Sequence, residues 1–398
     1  MASRNDMQPQ SPASPRPAAV AFVLVSVVLD VMALGLVIPV LPKLIEEMSG
    51  STAEAAVVYG VFATAWALMQ FVFSPVLGAL SDAFGRRPVL LVSSLGLGCD
   101  YVMMAIAPSL GWLFLGRVLS GICAATFSTA SAYIADVTPE TERAGKFGLI
   151  GAAFGVGFVL GPAIGGLLGA QDPRLPFWVA AALSLACAAY GYFVLPESLR
   201  EERRSPFRWR TANPLGALEL IRSDLQLSRL SLAMFLFHLA HAVLPAVFVL
   251  HAGYRFDWGP GQVGLALAAF GIVSGFVQGV LVKRTVARFG EQRVLVFGMC
   301  SGIVGLGLMS LAASEGVFWF GMAVICLWGC IGPAAQGLMS RRVGHDQQGR
   351  LQGANASLMG VANLIGPSLF TGTFAVSIAA GPETAWPGAP YGVAATCL

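Results

Sequence analysis

Titratable side chains are scarce inside the long apolar stretches of this 398-residue chain, and that scarcity singles out a few of them. Asp30 and Asp100 each lie about twelve residues into an apolar run, and His238 and His241 lie about nine to twelve residues into another, one helical turn apart. At about 1.5 Å of rise per residue, all four fall near the middle of a bilayer, where a single aqueous cavity could collect them. Arg117 lies in the outer third of a further run. Ionisable groups at such depth are costly and mark functional sites by default. Burial disfavours a charged carboxylate and a nearby cation favours it, so an aspartate beside Arg117 could take up and release a proton. The competing role is an Asp–Arg pair that only fixes helix packing. Gln70, in a neighbouring run, could donate to a polar ligand. No paired nucleophile and base and no metal-ligand spacing accompanies these residues, so enzyme chemistry is not expected.

The elements that carry them are membrane spans. Charged residues make up 11% of the chain and apolar residues 56%, with a mean hydropathy of +0.73. Soluble domains carry roughly 25% charge, so a soluble enzyme, a disordered chain and a nucleic-acid binder are excluded. Apolar runs long enough to cross about 30 Å of hydrocarbon fall at 18–40, 56–80, 88–108, 111–135, 146–170, 176–196, 229–252, 260–282, 293–313, 316–338 and 354–379. Residues 1–17, polar and rich in proline and serine, read as a disordered tail. The run that follows reads as a retained anchor. All 24 basic residues except Lys43, Arg174, Arg255 and Arg117 fall on one side if the N-terminus is cytoplasmic, which predicts that orientation. The bilayer is thus a partner, and no obligate protein partner or nucleic acid is expected. The cysteines read as small packing residues.

A repeat divides the chain. Phe84-Gly85-Arg86-Arg87-Pro88-Val89-Leu90 matches Phe289-Gly290-Glu291-Gln292-Arg293-Val294-Leu295, 205 residues on. Gly148, Gly155 and Gly161-Pro162 match Gly353, Gly360 and Gly366-Pro367 at the same offset. The expected fold is all-α, with two six-helix halves related by a parallel repeat and substrate sites near the midplane between them. The halves are 18–196 and 229–398, joined by a cytoplasmic linker at 197–228 with a short surface helix around 214–224. The second half offers five clear spans and a proline-rich remnant, 381–398, so the twelfth helix is expected to be missing or incomplete and the chain truncated.

Two motifs have mechanical rather than ligand character. Gly78, Ser81, Asp82, Gly85 and Arg86 crowd the turn between the second and third spans. Gly78 would let helices pack at the membrane edge, Gly85 would turn the chain, and Asp82 could pair with Arg86, Arg143 or a helix N-terminus. Such a cluster could latch one conformational state. In the fifth span Gly157, Gly161, Gly165 and Gly169 share one face, and Pro162 adds a bend. Small residues at that spacing let backbones approach closely, and this face is expected to be a sliding contact between the halves.

The turn cluster resembles the signature of the major facilitator superfamily. Leu115-Gly116-Arg117 with Gly121 resembles its fourth-helix motif, and Gly157, Gly161, Pro162, Gly165 and Gly166 resemble its fifth-helix antiporter motif. Within the superfamily the chain is similar to bacterial tetracycline/proton antiporters over roughly 18–380, through Trp66-Ala-Leu-Met-Gln70-Phe, Asp100-Tyr101, Ala132-Tyr-Ile-Ala-Asp136, Phe147 onward and Gln348-Gly-Arg-Leu-Gln-Gly353. The resemblance implies an efflux carrier in the bacterial cytoplasmic membrane. It would export a tetracycline-type drug as a metal chelate in exchange for protons, with no bound cofactor. The proton gradient would drive it, and the substrate itself can carry a divalent cation such as Mg2+. Asp30, Gln70, Asp100 and Arg117 would line the transport path. Gly78, Ser81, Asp82, Gly85 and Arg86, with Asp136 and Arg143, would form the gating loop. The chain departs from the family at Ala83, where arginine is usual, at Ser274, where histidine is usual, and at Gly302, where an aspartate tied to proton coupling is usual. Either His238 or His241 is expected to take over part of the role of the latter two, or Asp30 and Asp100 suffice. Transport of another amphiphilic compound, or a transport-inactive truncated remnant, are the alternatives.

Overall fold

A computed structural model describes residues 17–124, 126–139, 142–199, 201–207, 224–344, 347–379 and 386–398. The tail expected at 1–17, apart from Pro17, and the surface helix expected around 214–224, apart from Asp224, lie outside the described residues. Eleven helices are long and apolar enough to cross a membrane. They are α1 (Val20–Ser49), α2 (Thr52–Phe84), α3 (Arg86–Ala105), α4 (Leu110–Val137), α5 (Gly145–Gly169), α6 (Leu175–Val194), α7 (Leu225–Phe256), α8 (Pro260–Phe289), α9 (Glu291–Ser310), α10 (Glu315–Ser340) and α11 (Arg350–Ala379). A short helix, α12 (Ala389–Thr396), follows. It packs chiefly on α9, as α6 packs on α3 in the first half.

The repeat is written into the backbone. Gly85 and Gly290, 205 residues apart, stand between successive helices with φ/ψ of 108/160° and 78/158°. Both φ values lie in the region that glycine alone adopts at little cost. The same offset relates two ion pairs of opposite polarity. Arg86 Nε donates to Asp136 at 3.0 Å, and Arg341 Nη2 donates to Glu291 at 3.0 Å. These turns define an Arg-rich end of the molecule.

The halves meet chiefly through two helix pairs, α2 with α11 and α5 with α8, and α7 also touches α1 and α2. Their contacts run from the opposite end past the middle, as far as Phe71 of α2 against Gly360 of α11. Tyr59 Oη donates to the Pro245 carbonyl at 3.0 Å, and the Thr64 and Ser368 hydroxyls are 2.8 Å apart. A Cβ on Gly166 would lie 2.9 Å from Gly264 Cα, and the reverse holds, so bare backbones touch there. Towards the Arg-rich end the surroundings open. Gly145, Gly148, Gly151 and Gly155 of α5, and Gly275 and Gly279 of α8, have nothing within 4 Å of where a Cβ would stand. A surface groove of about 430 Å³ runs along α8 there, lined by Gly279, Val280, Lys283, Arg284 and Ala287. The halves thus touch backbone to backbone through Gly166 and Gly264, while these glycines of α5 and α8 stand clear towards the Arg-rich end.

Candidate functional site

In the first half the polar residues converge because two glycines let α4 wedge between α2 and α3. Asp100 of α3 is fully buried, with Arg117 and Ser120 of α4 within electrostatic reach of its carboxylate. A Cβ on Gly116 would stand 2.6 Å from Asp100 Oδ1, and a Cβ on Gly121 would stand 2.6 Å from the Trp66 carbonyl oxygen of α2. The spacing of Gly116, Arg117 and Gly121 thus puts one hydrogen-only position against each neighbour and the cation between them. Arg117, 7% exposed, lays its guanidinium 5.3 Å from the centroid of the Trp66 ring. A cation over an indole face contributes on the order of 1–2 kcal/mol when desolvated, comparable to a good hydrogen bond. Tyr101, buried beside Asp100, lies within electrostatic reach of Asp30, Asp100 and Arg117, which ties Asp30 of α1 to the same cluster. Gln70 is half-buried one helical turn beyond Trp66.

His238 and His241 do not join that cluster. They sit on α7 in the second half, so the sequence-derived residues form two groups rather than one. His241 stacks on Trp328 of α10 with ring centroids 5.1 Å apart and an interplanar angle of 26°. Phe237 meets both rings edge-on, at 6.0 and 5.7 Å. Position 302 is covered by the same indole and by the chain's last residue. A Cβ on Gly302 would lie 3.5 Å from Trp328 Cε3 and 2.7 Å from Leu398 Cδ1.

The turn cluster is a network centred on Arg86. Its guanidinium donates to Asp136 and, at 2.9 Å, to the buried Ser81 hydroxyl, and it pairs with Asp82 at 2.5 Å. Of the partners open to Asp82 in the sequence, Arg86 is the one taken, while Arg143 Nε donates to the Thr138 carbonyl at 3.3 Å. Glu197 completes the network. Its carboxylate accepts from the backbone N–H groups of Arg86 and Arg87, at 2.9 and 3.2 Å, and so caps the N-terminus of α3. A Cβ on Gly85 would stand 2.7 Å from Glu197 Cδ, a second reason for glycine there. Gly78 does not pack helices together in this state, since nothing lies within 4 Å of its Cβ position.

The fifth-helix face is a correction. Cβ atoms on Gly157, Gly161 and Gly165 would stand 2.3–2.9 Å from atoms of Val28, Val31, Met32, Gly35 and Leu36, all on α1 of the same half. Gly169 faces Val40, also of α1. This face locks α5 to α1. The contact between halves is made instead by Pro162 and Gly166, which meet Gly264 of α8.

Sequence reasoning missed Trp66, Ser120, Glu197 and Trp328 as site residues. Trp66 carried one usable signal, its i, i+4 spacing to Gln70 on the same helical face. It also missed His251 of α7, whose Nδ1 lies 3.0 Å from the Pro387 carbonyl and whose ring stacks on Phe318 at 5.2 Å. That ring ties the segment leading to α12 onto the second half.

Among the described residues no three His, Cys, Asp or Glu side chains converge on a metal position. What the arrangement can do is hold or release cations. Two buried carboxylates, one fixed guanidinium and a polar phenol can exchange a proton for a cationic ligand at the same oxygens.

The sequence profile described as Major Facilitator Superfamily matches residues 23–396. The class C tetracycline resistance protein of Escherichia coli is 41% identical over 369 residues, 92% of each chain. The class G tetracycline resistance protein of Vibrio anguillarum is 38% identical, over 93% of this chain and 92% of its own. The crystal structure of the human organic anion transporter MFSD10 superposes with a TM-score of 0.71 at 23% identity, covering 97% of this chain and 98% of that one.

Proposed function

The chain belongs to the major facilitator superfamily, and from that premise we propose that it exports tetracycline-type drugs from the cytoplasm in exchange for protons. The drug is taken as its chelate with a divalent cation, across the bacterial cytoplasmic membrane. The observation that carries this reading is Asp100, fully buried in a membrane span and facing Arg117, in a chain 41% identical to a tetracycline resistance protein.

The coupling follows from simple competition. A buried carboxylate can hold a proton or face a cationic chelate, and holding both leaves a net charge where charge is costly. Arg117, fixed over Trp66, holds a positive charge beside the carboxylate throughout the cycle. The bias of basic residues supports a cytoplasmic Arg-rich end, the side from which the drug would enter. Rocking of the halves about the α2–α11 and α5–α8 contacts would then expose the cluster to the other side. There a proton displaces the chelate, and the return stroke carries the proton inward.

The second half favours a further reading. With Gly302 and Ser274 where titratable groups are usual, and an aromatic group at Trp328, another amphiphilic compound is the alternative substrate. The test is tetracycline susceptibility of cells expressing the full chain. The expected result is resistance above the vector control that Asp100→Asn and Asp30→Asn abolish at equal membrane levels. Resistance undiminished in both variants would contradict the assignment of these carboxylates.

A further inference from the structure

The second half presents an aromatic platform with no counter-charge. His241 lies near the middle of α7 and is exposed, while Trp328, against which one face of its imidazole rests, is 3% exposed. The backbone is shaped to put the indole there. α10 tightens into a 3-10 turn over Cys326–Cys330, opposite a π-helical widening of α8 at Val277–Leu281. A Cβ on Gly329 would stand 3.2 Å from Gln278 Cγ, so the two irregular turns face each other. Irregular turns inside membrane helices recur at functional sites. Among the described residues of this half, acids occur at Asp224, Asp257, Glu291 and Glu315, all at or beyond helix ends.

We propose that His241, backed by Trp328 and held edge-on by Phe237, is a stacking subsite for a planar conjugated ring of the substrate. The proposal rests on the efflux reading above and adds a division of labour to it. The charged, chelating edge of the substrate is met by Asp30, Asp100 and Arg117 in the first half, and the flat ring by imidazole in the second. His241 touches the ligand. Trp328 acts through it as a positioning residue.

The test is the Kd of the detergent-purified full chain for Mg2+–tetracycline, read by tetracycline fluorescence, beside uptake into inverted vesicles. His241→Phe keeps a flat ring and is expected to hold Kd within about threefold, whereas His241→Gln keeps polarity, loses the ring and weakens binding about tenfold. Trp328→Phe is expected to bind nearly as the parent, and Trp328→Leu to weaken as His241→Gln does, because the imidazole loses its backing. A parent chain that binds with this ranking yet does not transport would contradict the efflux reading and support the subsite. A His241→Gln variant with the parent's Kd, a His241→Phe variant weaker than it, or a parent that does not bind would overturn the subsite.

Discussion

At the scale of single residues, the account rests on how tightly Asp100 and Arg117 are seated. A methyl group on Gly116 would press on both Asp100 and Met104 at 2.6 Å. Overpacking of that kind costs on the order of 1–3 kcal/mol, and here it would be relieved by moving the carboxylate. Gly116→Ala is therefore expected to lower tetracycline uptake by inverted vesicles at least tenfold at equal protein level. Trp66→Phe keeps an aromatic face under Arg117 and is expected to retain most uptake, whereas Trp66→Leu is expected to lose several-fold. Equal uptake by the Phe and Leu variants would remove the cation–π role. The titratable members of this cluster were legible in the sequence because ionisable residues in apolar runs are rare. Trp66 and Trp328 were not, because an aromatic residue in an apolar run looks the same whether it packs a core or holds a cation.

Between elements, the two repeated turns differ in how much they should matter. Arg86 has an 11% exposed side chain and bonds to Ser81, Asp82 and Asp136 at once, while the backbone at the same position is capped by Glu197. Arg341 of the Glu291 pair is 75% exposed, and exposed pairs are worth about 0–1 kcal/mol. Arg86→Ala is expected to cut uptake at least tenfold, and Arg341→Ala to keep more than half of it. Comparable losses would mean that the second turn is a gate of equal weight. The helices themselves were readable from hydropathy, since span length and composition dictate them, and all eleven are present. Which helix a small-residue face meets was not readable. The Gly157–Gly169 face suits any close partner, and α1 rather than the other half takes it, because the register of one helix on another is set by the whole bundle. Glu197 was hidden for a related reason, lying in a polar stretch whose link to α3 exists only in three dimensions.

For the whole molecule, the halves are sealed backbone against backbone through Gly166 and Gly264. Gly264→Leu would force backbone against side chain at that seal. It is expected to abolish transport and to make a cysteine placed at Thr64 reactive to an impermeant maleimide from outside the cell, while the parent background stays unreactive without substrate. The claim on which the rest depends is that drug export is coupled to protons through Asp100. The most direct measurement is tetracycline uptake by inverted vesicles under an imposed pH gradient, acid inside, with and without nigericin. The account predicts uptake by the parent chain that stops when the gradient is collapsed, and none by Asp100→Asn under either condition. Gradient-driven uptake that persists in Asp100→Asn would contradict it.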